Sequence, residues 1–182
     1  MNTMHLNHNV RVDILFIHHK ERKVVMNIRP ATLGDVRVIL VFIKELAQYE
    51  EALHCVQANE ADIVASLFSS TATAKALICE AEGRPVGYAV YFFNYSTWLG
   101  KNGLYLEDLY VTPAYRSCGA GKRLMKTLAE IALENNCGRF EWSVLHWNQP
   151  AIDFYQHIGA EEQSEWRIYR LTGEALQQFA EA

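Results

Sequence analysis

No stretch of this sequence approaches the ~18 consecutive apolar residues that a membrane-spanning helix needs. The nearest thing to a signal core, Val12 to Ile17, is short, is interrupted by Asp13 and lacks a small-residue cleavage site. Cysteine is sparse. Cys55, Cys79, Cys118 and Cys137 are scattered, with no C-x-x-C pair and no zinc-like spacing, so neither a disulfide framework nor a thiolate metal site is indicated. They read as buried or half-buried thiols of a reducing compartment, and the expected location is cytoplasmic. Positive charge is also short: Lys and Arg number 17 against 21 Asp and Glu, a net charge of −4. That argues against a nucleic-acid binder, whose basic face must neutralise many phosphates. Residues 1–25 hold Arg11, Lys20, Arg22 and Lys23 against only Asp13 and Glu21, so the remainder is more acidic still. Such a balance suits a cationic small molecule better than an anionic polymer. No repeat or low-complexity tract is present.

Half of the 182 residues are apolar, and eight Phe, nine Tyr and four Trp can fill a sizeable core without covalent staples. The length fits one domain. Residues 1–25 differ from the rest: they contain His5, His8, His18 and His19 and no Gly or Pro. His18-His19 offers metal-ligating nitrogens, but a solvent-exposed extension is the expected reading, with Met26 a candidate start of a compact domain over 26–182.

From Val24 a short apolar run reaches Arg29-Pro30, as a strand stopped by proline. Over Thr32 to Glu51, Val36, Ile39, Leu40, Ile43, Leu46 and Ala47 recur at helical spacing. Asn59 caps a second, shorter helix through Phe68. The period then changes to two. Lys75–Glu82 and Val86–Tyr95 read as a hairpin turned at Glu82-Gly83-Arg84-Pro85, followed by a strand over Leu104–Val111. Residues 119–135 form an amphipathic helix opening on glycines. Gly138–Leu145 reads as a strand, Gln149–Ile158 as a helix with Pro150 in its first turn, and Trp166–Leu171 as a closing strand. Thr172 is placed to cap a last helix. The expected class is α/β, with an antiparallel first half and a strand–helix–strand unit late in the chain.

The strongest chemical signal is the segment Arg116-Ser117-Cys118-Gly119-Ala120-Gly121-Lys122-Arg123 between a strand and a helix. Gly119 and Gly121 allow a tight turn and leave peptide N–H groups uncovered, while the helix start adds orphan donors and a positive dipole end. Such a loop cradles a phosphate or pyrophosphate, though it is also met as an ordinary helix start. It is not a Walker loop, which needs Gly at 116 and Ser or Thr at 123, where Arg stands at both. It is not a dinucleotide fingerprint either, because Leu124 occupies the third glycine position. The pattern that fits is R-x-x-G-x-G/A.

That pattern resembles the pyrophosphate loop of the GCN5-related N-acetyltransferases. Leu104-Tyr105-Leu106-Glu107-Asp108-Leu109-Tyr110-Val111 resembles the family's central strand. Asn148-Gln149-Pro150-Ala151-Ile152-Asp153-Phe154-Tyr155, with Gly159-Ala160, resembles its late N-x-x-A-x-x-F-Y-x-x-x-G-A segment. Ile28-Arg29-Pro30-Ala31-Thr32, Lys44 to Glu50, Tyr95 to Trp98 and Leu145 to Gln149 look like the diamine and thialysine acetyltransferase group. The resemblance covers residues 26 to about 172. It implies a mixed central sheet of six to seven strands flanked by four to five helices, acetyl-CoA as cosubstrate, no metal, and a homodimer.

Acetyl transfer to an amine has one main obstacle: an alkylammonium of pKa near 10.4 needs roughly 4.6 kcal/mol to become the neutral nucleophile at about pH 7. A carboxylate, directly or through water, can take that proton and also bind the cation. Glu107 and Asp108 are adjacent on the expected central strand, so ideal alternation sends them to opposite faces unless a bulge intervenes. By resemblance Glu107 is the base-relay and substrate carboxylate, Asp108 a substrate neighbour, and Tyr155 the phenol that protonates the CoA thiolate. The same resemblance gives the backbone of Leu109, Tyr110 and Val111 to the acetyl carbonyl and pantetheine. Arg116, Ser117, Cys118, Gly119, Ala120, Gly121 and Lys122 go to the pyrophosphate, and Asn148, Gln149, Pro150 and Ala151 to the pantetheine path. Tyr49, Glu50 and Trp98 go to the amine, the aromatics through cation–π contact. His146 offers a base but reads as a surface histidine. Two departures stand out. Ser96 replaces an acid that diamine-preferring members often carry, and the segment around Glu165 and Trp166 looks shorter. The expected activity is direct transfer from acetyl-CoA to a lysine-like amine or a diamine. Acetylation of proteins, and a non-catalytic CoA-binding domain, are the alternatives.

Overall fold

A computed structural model describes residues 25–182. The expected N-terminal extension, with its His18-His19 pair, falls outside the described residues except for Val25. The chain forms two compact units, one ending at Glu141 and the other Trp142–Ala182.

The first unit is built on a sheet whose strands lie side by side in chain order: β1 (Met26–Pro30), β2 (Ala74–Ala81), β3 (Arg84–Ser96), β4 (Lys101–Val111) and β5 (Arg139–Trp142). Neighbours from β1 to β4 are antiparallel, as the alternating sequence implied. The β2–β3 hairpin turns on Glu82 and Gly83, both with positive φ (53° and 75°), a two-residue turn whose twist matches that of the flanking strands. Among the described residues the sheet has five strands, fewer than the six to seven expected. Residues 166–171 have no regular structure and their side chains are exposed. Strand-forming residues do not make a strand without a neighbour to accept their backbone hydrogen bonds. β5 likewise ends at Trp142 rather than Leu145, because the chain turns through Leu145–Asn148 into the next helix.

Helix α1 (Val36–Tyr49) buries Val36, Ile39 and Phe42 against Ile78, Tyr88 and Tyr110 of the sheet. The Phe42 ring lies 5.6 Å from Tyr88 and 5.8 Å from Tyr110. A short α2 (Glu60–Ile63) runs on into a wider π turn, Val64–Phe68. Its cap is the one the sequence indicated: Asn59 Oδ1 accepts from the N–H groups of Ala61 and Asp62, and Asp62 accepts from that of Asn59. Helix α3 (Ala120–Glu134) packs Leu124, Met125 and Leu128 on the other face of the sheet, where Arg123 acts on the Cys79 thiol.

The two ends of α1 have different tasks. Near its start, buried Asp35 accepts two hydrogen bonds from the Arg29 guanidinium (2.7 and 2.8 Å) and two from Thr32, through its backbone N–H and its hydroxyl. Arg29 also bonds Glu80 at 2.9 Å, so β1, β2 and the approach to α1 are tied at one point. Its far end delivers Tyr49 and Glu50.

In the second unit, α4 (Gln149–His157) starts on Asn148 with Pro150 in its first turn, and α5 (Gly173–Glu181) follows Thr172. Thr172 holds the capping position in extended conformation, but its side chain makes no capping hydrogen bond. Among the described residues, the five α-helices match the expected four to five.

Candidate active site

Strand β4 contains the decisive local irregularity. Val90 of β3 pairs with Asp108 and Tyr91 with Leu106, so Glu107 is an extra residue on β4, a β-bulge. Paired residues share a face and neighbours on β3 alternate. Leu104 and Leu106 therefore face one side of the sheet, and Asp108 and Tyr110 face the α1 side. Unbroken alternation would have left Asp108 beneath α3 with Leu106.

The bulge separates the two acids. Glu107 is exposed, whereas half-buried Asp108 reaches Tyr88, whose hydroxyl donates to Asp108 Oδ2 at 2.7 Å. Burial pushes the Asp108 carboxyl above the usual carboxylate range, with the Tyr88 hydrogen bond opposing. Glu50, at the end of α1, is also pushed up, first by burial and then by the negative charge of Asp108. Two acids in a partly buried place suit a cation, since an ammonium beside them would relieve the penalty of burial and the repulsion.

Beside this pair lies a cavity of about 320 Å³ lined by Glu45, Gln48, Tyr49, Tyr110, Pro113 and Arg116. The Arg116 guanidinium stands 5.0 Å from the Tyr49 ring centroid and 5.6 Å from that of Tyr110, and its Nε donates to the Val111 carbonyl at 3.0 Å. Glu45 hydrogen-bonds Tyr110, while its Oε2 is buried with no hydrogen-bond partner. Arg116, assigned from sequence to a pyrophosphate, thus rests on Tyr49, assigned to the amine. Trp98 is 87% exposed at the β3–β4 turn. Ser96 is buried, and its hydroxyl accepts the Leu99 N–H at 3.3 Å, which stabilises that turn.

After β4 the chain turns through Arg116–Gly119 into α3. Ser117 (φ 60°) and Gly119 (φ 89°) are left-handed, and a side chain at Gly119 or Gly121 would meet nothing within 4 Å. The first intrahelical donor is Arg123, bonded to the Gly119 carbonyl. The N–H groups of Ala120, Gly121 and Lys122 precede it, so the helix supplies them no acceptor. With Lys122 and Arg123 exposed beside them, these donors fit a pyrophosphate. β5 begins next to Asn102, where Gly138 N–H donates to the Asn102 carbonyl, and is four residues long. It therefore stops short of Leu109–Val111, leaving that edge of β4 without a β5 ladder.

These features, a glycine turn with uncovered N–H donors following a bulged acidic strand, occur in a sequence that the Acetyltransferase (GNAT) family model matches over residues 42–160. The chain belongs to this family. It is an acetyltransferase, and GNAT acetyltransferases use acetyl-CoA. Over 164 residues it is 41% identical to the thialysine N-epsilon-acetyltransferase of Bos taurus, covering 84% of this chain and 96% of that one. It is 37% identical to the spermidine/spermine N(1)-acetyltransferase-like protein 1 of Homo sapiens, over 84% of this chain and 23% of that protein. Among solved structures, an integron cassette protein from V.cholerae superposes with a TM-score of 0.72 at 29% identity, covering 86% of this chain and 98% of that one.

The remaining GNAT motif residues lie in the second unit. Tyr155 is half-buried on α4, its ring 5.0 Å from Trp142 and 5.5 Å from Phe154. Asn148 caps α4, its carbonyl accepting from Ala151 and Ile152, and Gln149 bonds Asp153 one turn on at 2.6 Å. His146, Glu165 and Trp166 are exposed. Sequence reasoning missed two residues, Tyr88 and Glu45. Tyr88 lies in the segment read as a strand, and Glu45 in the Lys44 to Glu50 segment, neither with a role assigned to it. Among the described residues, no group of three or more His, Cys, Asp or Glu could hold a metal ion, and no helix is long and apolar enough to cross a membrane.

Proposed function

We propose that the protein transfers the acetyl group of acetyl-CoA directly to a primary amine of a small cationic substrate, a thialysine- or lysine-like amine before a diamine or polyamine. The observation that carries this reading is the partly buried pair of Glu50, at the end of α1, and Asp108, on the strand that leads into the anion cradle of α3. The acids suit an ammonium, and the cradle suits the pyrophosphate of the donor. The thialysine preference is supported by the 41% identity to an enzyme of that name and by Ser96, which puts no carboxylate at the β3–β4 turn.

In the proposed reaction Glu50 and Asp108 bind the cationic amine, with Tyr49 and Trp98 offering ring faces to it. Glu107, exposed at the bulge and so accessible to water, takes the ammonium proton through a water molecule. The freed nitrogen lone pair forms the new bond to the acetyl carbon. Backbone donors along Leu109–Val111 stabilise the oxygen that gains charge. As the carbon–sulfur bond breaks, Tyr155 gives its proton to the departing thiolate and the acylated nitrogen sheds its second proton to solvent, from which the phenol is restored; Ser117–Lys122 and Asn148–Ala151 hold the rest of the donor. Acetyl-CoA supplies the activated acyl group. We further propose a cytoplasmic homodimer that needs no metal.

The test is CoA release from acetyl-CoA with thialysine, lysine, putrescine, spermidine, a basic peptide or no amine. Fastest turnover with thialysine or lysine is expected. Spermidine preference would refute the Ser96 argument, and peptide preference would move the substrate to proteins. Silence across the panel with acetyl-CoA binding intact would leave a non-catalytic CoA-binding domain.

A further inference from the structure

Tyr88 is fully buried on β3, beside the Phe42 ring of α1, and its hydroxyl donates to Asp108 Oδ2, 2.7 Å away. This contact exists because the Glu107 bulge turns Asp108 toward α1. Burial first, and then the negative charges of Asp108 and Glu50, keep the phenol protonated far above the ordinary tyrosine range. Tyr88 is therefore a donor throughout the working range of an enzyme and never an acceptor. A donor that cannot reverse favours the carboxylate form of its partner and fixes the plane of that carboxylate. The titratable groups around Asp108 are Tyr88 from β3, Glu50 from the end of α1, and Glu107 and Tyr110 on β4, with Glu45 behind Tyr110. Among these, Tyr88 is the uncharged donor bonded to Asp108, and it opposes the effect of burial on that carboxyl.

We propose that Tyr88 is a positioning residue for amine recognition, holding Asp108 ionised and oriented so that Asp108 and Glu50 together receive one ammonium. The kinetic half of this inference rests on the amine-acetyltransferase reading. The electrostatic half does not.

The experiment is Tyr88→Phe in the full chain, which removes one oxygen and keeps the ring. Loss of a hydrogen bond to a charged group is expected to raise the Asp108 titration by about one pH unit. The acid limb of kcat/KM for the amine should move up by the same amount, because the carboxylate forms only at higher pH. KM for the amine should rise on the acid side of the shifted limb and recover at higher pH, with KM for acetyl-CoA unchanged. Tyr91→Phe, which trims a buried phenol packed against Phe93, should leave all of these in place. Carboxyl carbon NMR, with the Asp108 resonance assigned by its loss in Asp108→Asn, follows the same titration without turnover. Should Tyr88→Phe fail to fold, biosynthetic 3-fluorotyrosine, a more acidic donor, should shift the Asp108 resonance titration downward. An Asp108 titration unmoved by either change would overturn the proposal, as would a Tyr91→Phe shift equal to that of Tyr88→Phe. If the wild type acetylates no amine, the functional reading fails, and the NMR titration alone decides the role of Tyr88.

Discussion

Replacing Asp35 with Asn tests the clamp that anchors the start of α1, and its size follows from the contacts. Asp35 is buried, accepts four hydrogen bonds and carries the charge that pairs with Arg29. The amide keeps the shape but loses the charge and places an N–H₂ group where one of the donors now points. Losing these charge-assisted hydrogen bonds from the part-buried Arg29, which keeps Glu80 as a partner, costs about 3 kcal/mol. For a chain of this length that loss lowers Tm by roughly 6–12 °C. The pH dependence has a definite sign. The Arg29 hydrogen bonds, with those from Thr32, hold the Asp35 carboxyl well below its ordinary range against the opposing effect of burial. A depressed folded-state pKa gives stability that is complete above the unfolded pKa, near 3.9, and is lost as pH falls toward the folded value. Urea unfolding of wild type and Asp35→Asn should thus give a gap that is constant from about pH 7 to pH 5 and narrows below about pH 4. A gap under about 1 kcal/mol at neutral pH, or one that does not narrow in acid, would refute the ion-pair account.

Three other outcomes are expected. Tyr155→Phe should lower turnover at least tenfold while leaving acetyl-CoA affinity nearly unchanged in calorimetry, since general-acid assistance is typically worth about 10²-fold or more; equal turnover would remove Tyr155 from the acid role. Glu107→Gln should move the activity profile to higher pH, where more of the amine is already neutral, and an unmoved profile would pass the proton to Asp108 or to solvent. Cys118, exposed in the cradle, should react with iodoacetamide and be protected by acetyl-CoA, while buried Cys79 stays unmodified; peptide mapping that finds Cys118 equally reactive with and without acetyl-CoA would put the pyrophosphate elsewhere.

Much of the architecture was legible because it depends on short-range rules. The apolar spacing of α1 and α3 marks their buried stripes, Glu82-Gly83 can adopt the left-handed pair that a tight hairpin requires, and Asn59 carries the oxygen its helix start needs. The left-handed turn at Gly119 and the uncovered N–H groups of the helix start that follows were equally readable, since their positions are set locally. The closing strand expected at 166–171 failed for the complementary reason: its residues favour extension, but a strand also requires a partner.

What the tertiary structure alone decided is which way the acids face. Sequence alternation set Glu107 and Asp108 apart but could not locate the bulge, because a bulge is a mismatch between two strands and is visible only in their pairing. That one extra residue turned Asp108 toward α1, where it meets Tyr88 and the charge of Glu50, and left Glu107 exposed. The stacking of Arg116 on Tyr49 belongs to the same class, joining residues far apart in the chain through the packing of α1 against β4. The sequence determined the elements and the chemistry each could carry; long-range register determined which of those groups share a site.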